Sequence, residues 1–306
     1  MNQMKRSLCA LLSALMLLAM LAGCGKKQET DEPFVLGVSV CGAIDSLDPA
    51  MNTDTDADSI FCALYENLMR MSDDGSGEAV LGNGVAKEYT EETNYDGTVT
   101  YRFTLRSSAR WSDGQKMTAD DFVYAWQRLA DPATASPNHS LMSVVAGYDE
   151  VRETGDKTKL QVSAEDESTF VVTLSAPCAY FIEGICTSVS TMPLRRDLAE
   201  STKFDTVNVV SNGAYCVSGW SKSSELTAAR NEEYYESRLV GPDTLRFVFA
   251  QDSRQAWQLY ENGEIDYIAH LPDEVIEELS QQDGWSARAI LATACVLYNN
   301  ETDLFS

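Results

Sequence analysis

The sequence predicts a mixed α/β fold, and three observations carry that expectation. Apolar residues alternate at Phe34, Leu36, Val38 and Val40, again at Val99, Tyr101, Phe103 and Leu105, and again at Leu245, Phe247 and Phe249, the spacing of strands with one packed face. Stripes of helical spacing run between them, at Ile60, Phe61, Leu64, Tyr65 and Leu68, and at Phe122, Trp126 and Leu129. Strands and helices therefore interleave along the chain, which favours packed layers of both kinds.

Taken in order, residues 34–40 form a strand that Asp45 to Pro49 interrupts, and residues 58–71 are helical in pattern up to a turn at 73–77. Tyr95, Asp96 and Gly97 form a hairpin turn feeding the strand at 99–105. A second turn lies at Ser112, Asp113 and Gly114. Thr118 caps the next helix, Asp121 sits favourably in its first turn, and Asp131 and Pro132 end it. Trp126 belongs to the apolar stripe of that helix and reads as core. Residues 160–174 give two short strands around 165–168, and residues 208–220 a turn and a strand in which Gly213 supplies backbone freedom. Asp252 and Gln255 resemble a capping box for a helix through Trp257 and Tyr260 that stops before Gly263. Residues 265–268 return to the sheet, and Pro272 opens a last short helix with Val275, Ile276 and Leu279.

The 306 residues include 44% hydrophobic side chains, 23 basic and 47 acidic groups, and only two histidines. A chain of this size buries roughly 75% of its unfolded surface, enough for one or two ordinary domains. A formal charge of −24 excludes a nucleic-acid partner, because phosphate recognition requires a basic face that releases counterions. No HExxH, GxSxG, Walker A or dinucleotide glycine pattern is present. His139 and His270 stand alone in the sequence, and Tyr89, Glu91 and Glu92 define no metal cage. The sequence thus points to no enzyme, no metal and no cofactor.

The amino terminus has its own chemistry. Lys5 and Arg6 precede an apolar stretch at 8–22, followed by Leu21, Ala22, Gly23 and Cys24. This is the form of a secretory signal, residues 1–23, ending in a lipobox, too short to span a bilayer comfortably. Cys24 is expected to become a lipidated first residue that anchors the exported protein to a bacterial membrane, and residues 24–33 read as a polar tether. Residues 24–306 carry 21 basic and 47 acidic groups, a balance of −26. Six further cysteines, at 41, 62, 178, 186, 216 and 295, allow several disulfide patterns in an exported chain, and reduced core cysteines fit the sequence equally well.

The run Trp111-Ser-Asp-Gly-Gln-Lys-Met-Thr-Ala-Asp-Asp-Phe-Val-Tyr-Ala-Trp-Gln-Arg128, with Asp131-Pro-Ala-Thr-Ala-Ser-Pro137 after it, closely resembles the extracellular solute-binding protein family 5, which includes oligopeptide-binding proteins. The resemblance continues through Leu47-Asp-Pro49, Ser211-Asn-Gly-Ala-Tyr215, Trp220, Ala229-Arg-Asn-Glu-Glu-Tyr234 and Gly263-Glu-Ile-Asp266. It implies a periplasmic-binding-protein-like fold and a receptor that captures peptides, or another small solute, for the permease of an ABC importer.

By the same resemblance, residues 34–60 and 180–270 look like a discontinuous lobe I, residues 61–179 an inserted domain, and residues 271–306 the start of lobe II, with residues 296–300 as its first strand. Most of lobe II is then expected to be absent, leaving solute binding weak or undetectable, and the alternative readings are a truncated, non-binding fragment of such a receptor or a receptor for another solute such as a metal chelate or sugar. The segment Cys41, Gly42, Ala43, Ile44 and Asp45 matches the stretch that approaches ligand in the family, with backbone contacts expected from Gly42 and Ala43. Tyr180 and Phe181 match the approach to the hinge or cleft. The carboxylate that meets a peptide ammonium group in the family falls in the missing lobe, so no Asp here inherits that role.

Overall fold

In a computed structural model of the chain, residues 32–73, 75, 79–200 and 204–283 are described. Cys24 and the strand expected at 296–300 lie outside them. The chain divides at Phe34, and the fold is that of the body from Val35 onward.

The elements run β1 (Val35–Cys41), α1 (Asp58–Leu64), β2 (Met69–Asp73), β3 (Ala79–Asn83), β4 (Ala86–Thr93), β5 (Val99–Leu105), α2 (Ala119–Ala130), α3 (Tyr148–Thr154), β6 (Val162–Asp166), β7 (Thr169–Leu174), α4 (Arg196–Ala199), β8 (Tyr215–Ser221), β9 (Glu225–Arg230), β10 (Thr244–Ala250), α5 (Ser253–Glu261) and α6 (Asp273–Leu279). One four-stranded sheet has the order β1-β10-β9-β8, a second the order β4-β5-β7-β6, and β2 pairs with β3 alone. The fold is mixed in both senses. β1 runs parallel to β10, while every other pairing between the described strands is antiparallel.

β1 departs from a one-faced strand, because residues 37–40 are all buried. The cause lies on its outer edge, where Ser39 N–H donates to Tyr267 O at 3.0 Å and Asp266 N–H to Gly37 O at 2.8 Å. The Asp266 carboxylate accepts from Gly37 N–H at 2.7 Å. The return of residues 265–268 to the sheet is therefore a single parallel bridge, Val38 to Tyr267, rather than a full strand. It covers backbone that would otherwise form an open edge.

Several turns and caps follow the sequence. Gly97 adopts φ +88° between β4 and β5, where Asn94 N–H donates to Thr98 O at 2.8 Å. At the start of α2 the Asp121 carboxylate accepts from Thr118 N–H at 2.8 Å and from the Trp111 indole at 3.2 Å. Trp111 and Trp126 are both fully buried, and the Trp126 indole donates to Thr191 O at 3.0 Å.

The helical pattern of residues 58–71 is overruled beyond Leu64. Tyr65 is extended, and the backbone of the following residues is taken by distant partners. Gly213 N–H donates to Leu64 O at 2.7 Å, Glu66 N–H to the Asn212 side chain at 3.2 Å and Met69 N–H to Cys186 O at 3.1 Å. Gly213 is thus needed for closeness rather than for unusual torsion. An added Cβ would lie 2.5 Å from Leu64 C and 2.7 Å from Leu64 O.

Candidate functional site

β1 delivers the chain into a loop, residues 42–58, that is fastened from several directions. Gly42 leaves the sheet at φ +93°, a conformation only glycine adopts without steric cost, and its N–H donates to Ala250 O at 2.8 Å. Leu47 is fully buried and donates its N–H to Phe204 O at 2.7 Å. Asp48 accepts from Ala50 N–H at 3.1 Å, opening a single 3-10 turn, Pro49–Met51. Its carboxylate also takes two guanidinium nitrogens of Arg128, at 3.0 and 2.6 Å. The Ser136 hydroxyl donates to Ala50 O at 2.5 Å, the Asn138 amide to Asn52 O at 2.6 Å and the Lys222 ammonium to Asp45 O at 3.0 Å. The Leu47-Asp-Pro49 motif, the end of the 111–128 motif and Ser136 therefore converge on one loop.

Two cavities adjoin it, and a third adjoins the second of these. One of about 290 Å³ is lined by Ala43, Ile44, Asp45 and residues up to Asp54. The next, about 430 Å³, shares Asn52, Thr53 and Asp54 with it and is closed by Asp58, Cys62, Asn138, Gly184 and Ser190. A third of about 320 Å³ shares Cys62 and Thr187 with the second and reaches Glu66, Arg70, Met192 and Tyr234. The first of them lies just past the carboxyl end of β1, a favoured place for ligands in open α/β sheets.

The two cavities nearest the loop are acidic, with Asp45, Asp48, Asp54 and Asp58 in their walls and no Lys, Arg or His. Burial holds the Asp58 carboxyl above its usual range, the Asn52 amide bond opposes this, and neighbouring Asp54 adds to it. In the third, buried Glu66 accepts from Arg70 at 2.9 Å, Tyr234 at 3.0 Å and Tyr235 at 2.5 Å. Burial pushes its carboxyl up while these bonds pull it down. Arg70 also pairs with Glu236 at 2.9 Å, so this cavity is internally neutralised.

The sequence-predicted residues divide. Ala43, Ile44 and Asp45 line the first cavity, whereas Cys41 and Gly42 do not. The N–H of Gly42 is committed to Ala250, which removes it as a donor to a solute. Burial and the nearby Asp56 push the Cys41 thiol up. Tyr180 is 60% exposed, but Phe181 is 0% exposed. The Phe181 ring packs 4.7 Å from Tyr101 and 6.1 Å from Trp126, so its side chain belongs to the core rather than to a cleft. The π-turn Phe181–Ile185 contributes instead through Gly184 and the residues after it.

Sequence reasoning missed Asn52 to Asp58, Asn138 and Ser190. The acidic run Asp54-Thr-Asp56-Ala-Asp58, shortly after Leu47-Asp-Pro49, is the available signal. His139 Nδ1 lies 2.6 Å from Tyr148 OH and His270 Nε2 lies 2.7 Å from Asp56, each with its own partner. Cys41, Cys62, Cys178, Cys186 and Cys216 are all free thiols. Among the described residues no cluster of His, Cys, Asp or Glu is arranged to hold a metal ion, and no helix is long and apolar enough to cross a membrane.

Residues 81–305 match the profile of bacterial extracellular solute-binding proteins, family 5 Middle. The chain belongs to this family. It is 32% identical over 249 residues to the periplasmic oligopeptide-binding protein OppA of Salmonella typhimurium, covering 78% of this chain and 44% of that protein. It is 26% identical over 288 residues to the oligopeptide-binding protein OppA of Bacillus subtilis, covering 91% and 51%. Among solved structures, Burkholderia pseudomallei OppA superposes with a TM-score of 0.73 at 32% identity, over 83% of this chain and 49% of that one. Haemophilus influenzae OppA in complex with RPPGFSPFR gives 0.73 at 28% identity, over 82% and 49%. The architecture is that of periplasmic-binding-protein-like chains, and this chain spans about half the length of the relatives it matches.

Proposed function

We propose that this family member captures peptides outside the cell and passes them unchanged to the permease of an ABC importer. The observation that carries this reading is the fastened 42–58 loop beside β1. There Ala43 lines a cavity and its backbone N–H makes no backbone hydrogen bond among the described residues, in a family whose relatives include oligopeptide-binding proteins. A backbone donor presented at a rigid wall recognises the main chain of a peptide while remaining indifferent to its sequence, and water fills the remaining space.

Residues 34–60 and 180–270 serve as one lobe and residues 61–179 as an inserted domain. Residues from 271 lead towards a second lobe, and solute stabilises the closed arrangement by its greater affinity for it. Residues 1–23 direct export, and Cys24 carries the lipid that holds the tether, residues 25–33, to the membrane.

Calorimetric or NMR titration with a mixed pool of short peptides tests the binding function. Saturable binding is expected, and no response at millimolar peptide overturns it. Mass spectrometry of the cell-derived protein tests the anchor. A lipid adduct on Cys24 is expected, and a product retaining residues 1–23 overturns it.

A further inference from the structure

We propose that the thioethers of Met69, Met71 and Met192, which line the cavity of about 320 Å³, form a site for a soft monovalent metal ion, Cu(I) or Ag(I). Residues 24–306 hold six methionines, at 51, 69, 71, 117, 142 and 192. Three of the six line this one cavity, and Cys62 adds a fourth sulfur-bearing residue to its wall. The site stands apart from peptide capture and does not depend on it.

The fold brings these residues together by two routes. Met69 and Met71 lie two positions apart on β2, so both project from one face of the strand, roughly 6.6 Å apart along it. Met192 comes from a distant segment that is pinned to the start of that strand. The Asn67 amide donates to Ser188 O and to Thr191 Oγ1, both at 2.8 Å, and Met69 N–H donates to Cys186 O at 3.1 Å. Met192 directly follows the 3-10 turn Val189–Thr191 that these bonds hold. Met69 and Met192 are each 3% exposed and Met71 is 50% exposed, so the three reach from the core to the surface. Their unbranched side chains, with three rotatable bonds each, can close on an ion.

The oxygen and nitrogen groups of the same wall are engaged within the protein. Glu66 accepts from Arg70 and Tyr234, the Asn67 carbonyl accepts from Leu68 N–H at 2.7 Å, and the Thr187 hydroxyl donates to Glu183 O at 2.6 Å. A hard cation, which needs several free oxygen ligands, is poorly served here. Thioethers select the soft ions instead. They carry no proton, so binding through them releases none.

The test is NMR of the chain labelled with ¹³C at the methionine methyl groups, titrated with Ag(I), the redox-inert member of the pair, to an excess over the thiols, and separately with Zn(II). The methyls of Met69, Met71 and Met192 are expected to shift together with Ag(I), those of Met51, Met117 and Met142 to stay, and Zn(II) to move none. Met71→Leu, a volume-conserving change at an exposed position, should weaken binding about tenfold. The triple Met→Leu variant should lose it, and Cys62→Ala should keep it. Between about pH 5 and 7 the affinity should stay level, whereas a site led by thiolate would tighten roughly tenfold per unit. Three methyls that stay unmoved once the thiols are saturated overturn the proposal. So do an affinity that rises with pH, unchanged binding by Met71→Leu, or a shift of Met51, itself 40% exposed, as large as that of Met71, which would mark adventitious binding to any exposed thioether.

Discussion

Asp48 and Arg128, eighty residues apart in the sequence, meet in a two-pronged ion pair at 3.0 and 2.6 Å that fastens the loop at the candidate site to α2. Asp48 keeps 6% of its side-chain surface in contact with water and Arg128 keeps 19%. Such a pair is costly to break from one side, because the remaining charge stays desolvated.

Arg128→Leu is therefore expected to destabilise the protein by roughly 3 kcal/mol. Adding Asp48→Asn should recover part of that loss, since the amide oxygen can still accept from Ala50 N–H. Urea unfolding of the single and double variants measures both effects, and a double variant no more stable than Arg128→Leu alone contradicts the account.

Gly213→Ala should cost about 3 kcal/mol, at the upper end of overpacking effects, because the new methyl group strikes the Leu64 carbonyl and pushes the segment before β8 away from the end of α1. Gly241→Ala is the control, with nothing within 4 Å of its added Cβ, and should stay within about 0.5 kcal/mol of the parent. Thermal unfolding of the two variants side by side separates steric exclusion from a general intolerance of alanine.

Asp121 predicts a pH dependence. Its carboxyl is pushed up to about 6, chiefly by burial and against the bonds from Thr118 and Trp111. Between the unfolded value of 3.8 and about 6 the folded chain holds more protons than the unfolded chain, so this residue's contribution to stability falls as pH rises through that window, by at most about 3 kcal/mol. Asp121→Asn can place its amide oxygen where one carboxylate oxygen accepts both bonds. Its unfolding free energy should accordingly decline less between pH 4 and about 6 than that of the parent, and identical slopes would contradict the assignment.

Cys62 gives a probe of the candidate site, since it lines two of the three cavities. Cys62 keeps an exposed surface, yet desolvation by the surrounding walls and the adjacent Asp58 push its thiol up to about 11, so alkylation should be slow at neutral pH. The rate should rise about tenfold per pH unit well past the value of an ordinary cysteine. Bound peptide should slow it further. Peptide mass mapping of maleimide adducts follows Cys62 separately from Cys178, and a plateau near pH 9 would refute the shifted thiol.

Alternation and turn chemistry made β5, β7 and β10, the Asp96-Gly97 hairpin and the capped start of α2 readable, because each depends on residues within a few positions of one another. The over-long helix from Asp58 shows the limit. Leu68 keeps helical spacing, yet Asn212, Gly213 and Cys186 claim the backbone of residues 64–69, and none of them is local. β9 escaped notice because Leu226 and Ala228 provide too small an apolar face to stand out.

At the site, the family motif led to Ala43, Ile44 and Asp45. The polar residues 52–58 and Ser190 have no periodicity of their own and gain a common cavity only through the contacts of Arg128, Ser136 and Asn138. Tyr180 and Phe181, adjacent in sequence, point to opposite environments, a distinction set by the aromatic cluster around Tyr101 and Trp126 rather than by anything near residue 181.

The parallel pairing of β1 with β10 joins Val35 to Thr244, so the opening strand finds its neighbour only after 209 more residues have been made, the difference of those two positions. At ordinary rates of synthesis that wait is on the order of 10–40 s. Throughout it the first strand lacks its sheet neighbour, and the sheet beside the candidate site cannot close prematurely. The β1–β10 pairing therefore forms only once most of the described fold has been made, the condition under which a polypeptide can be threaded through a narrow pore before it folds.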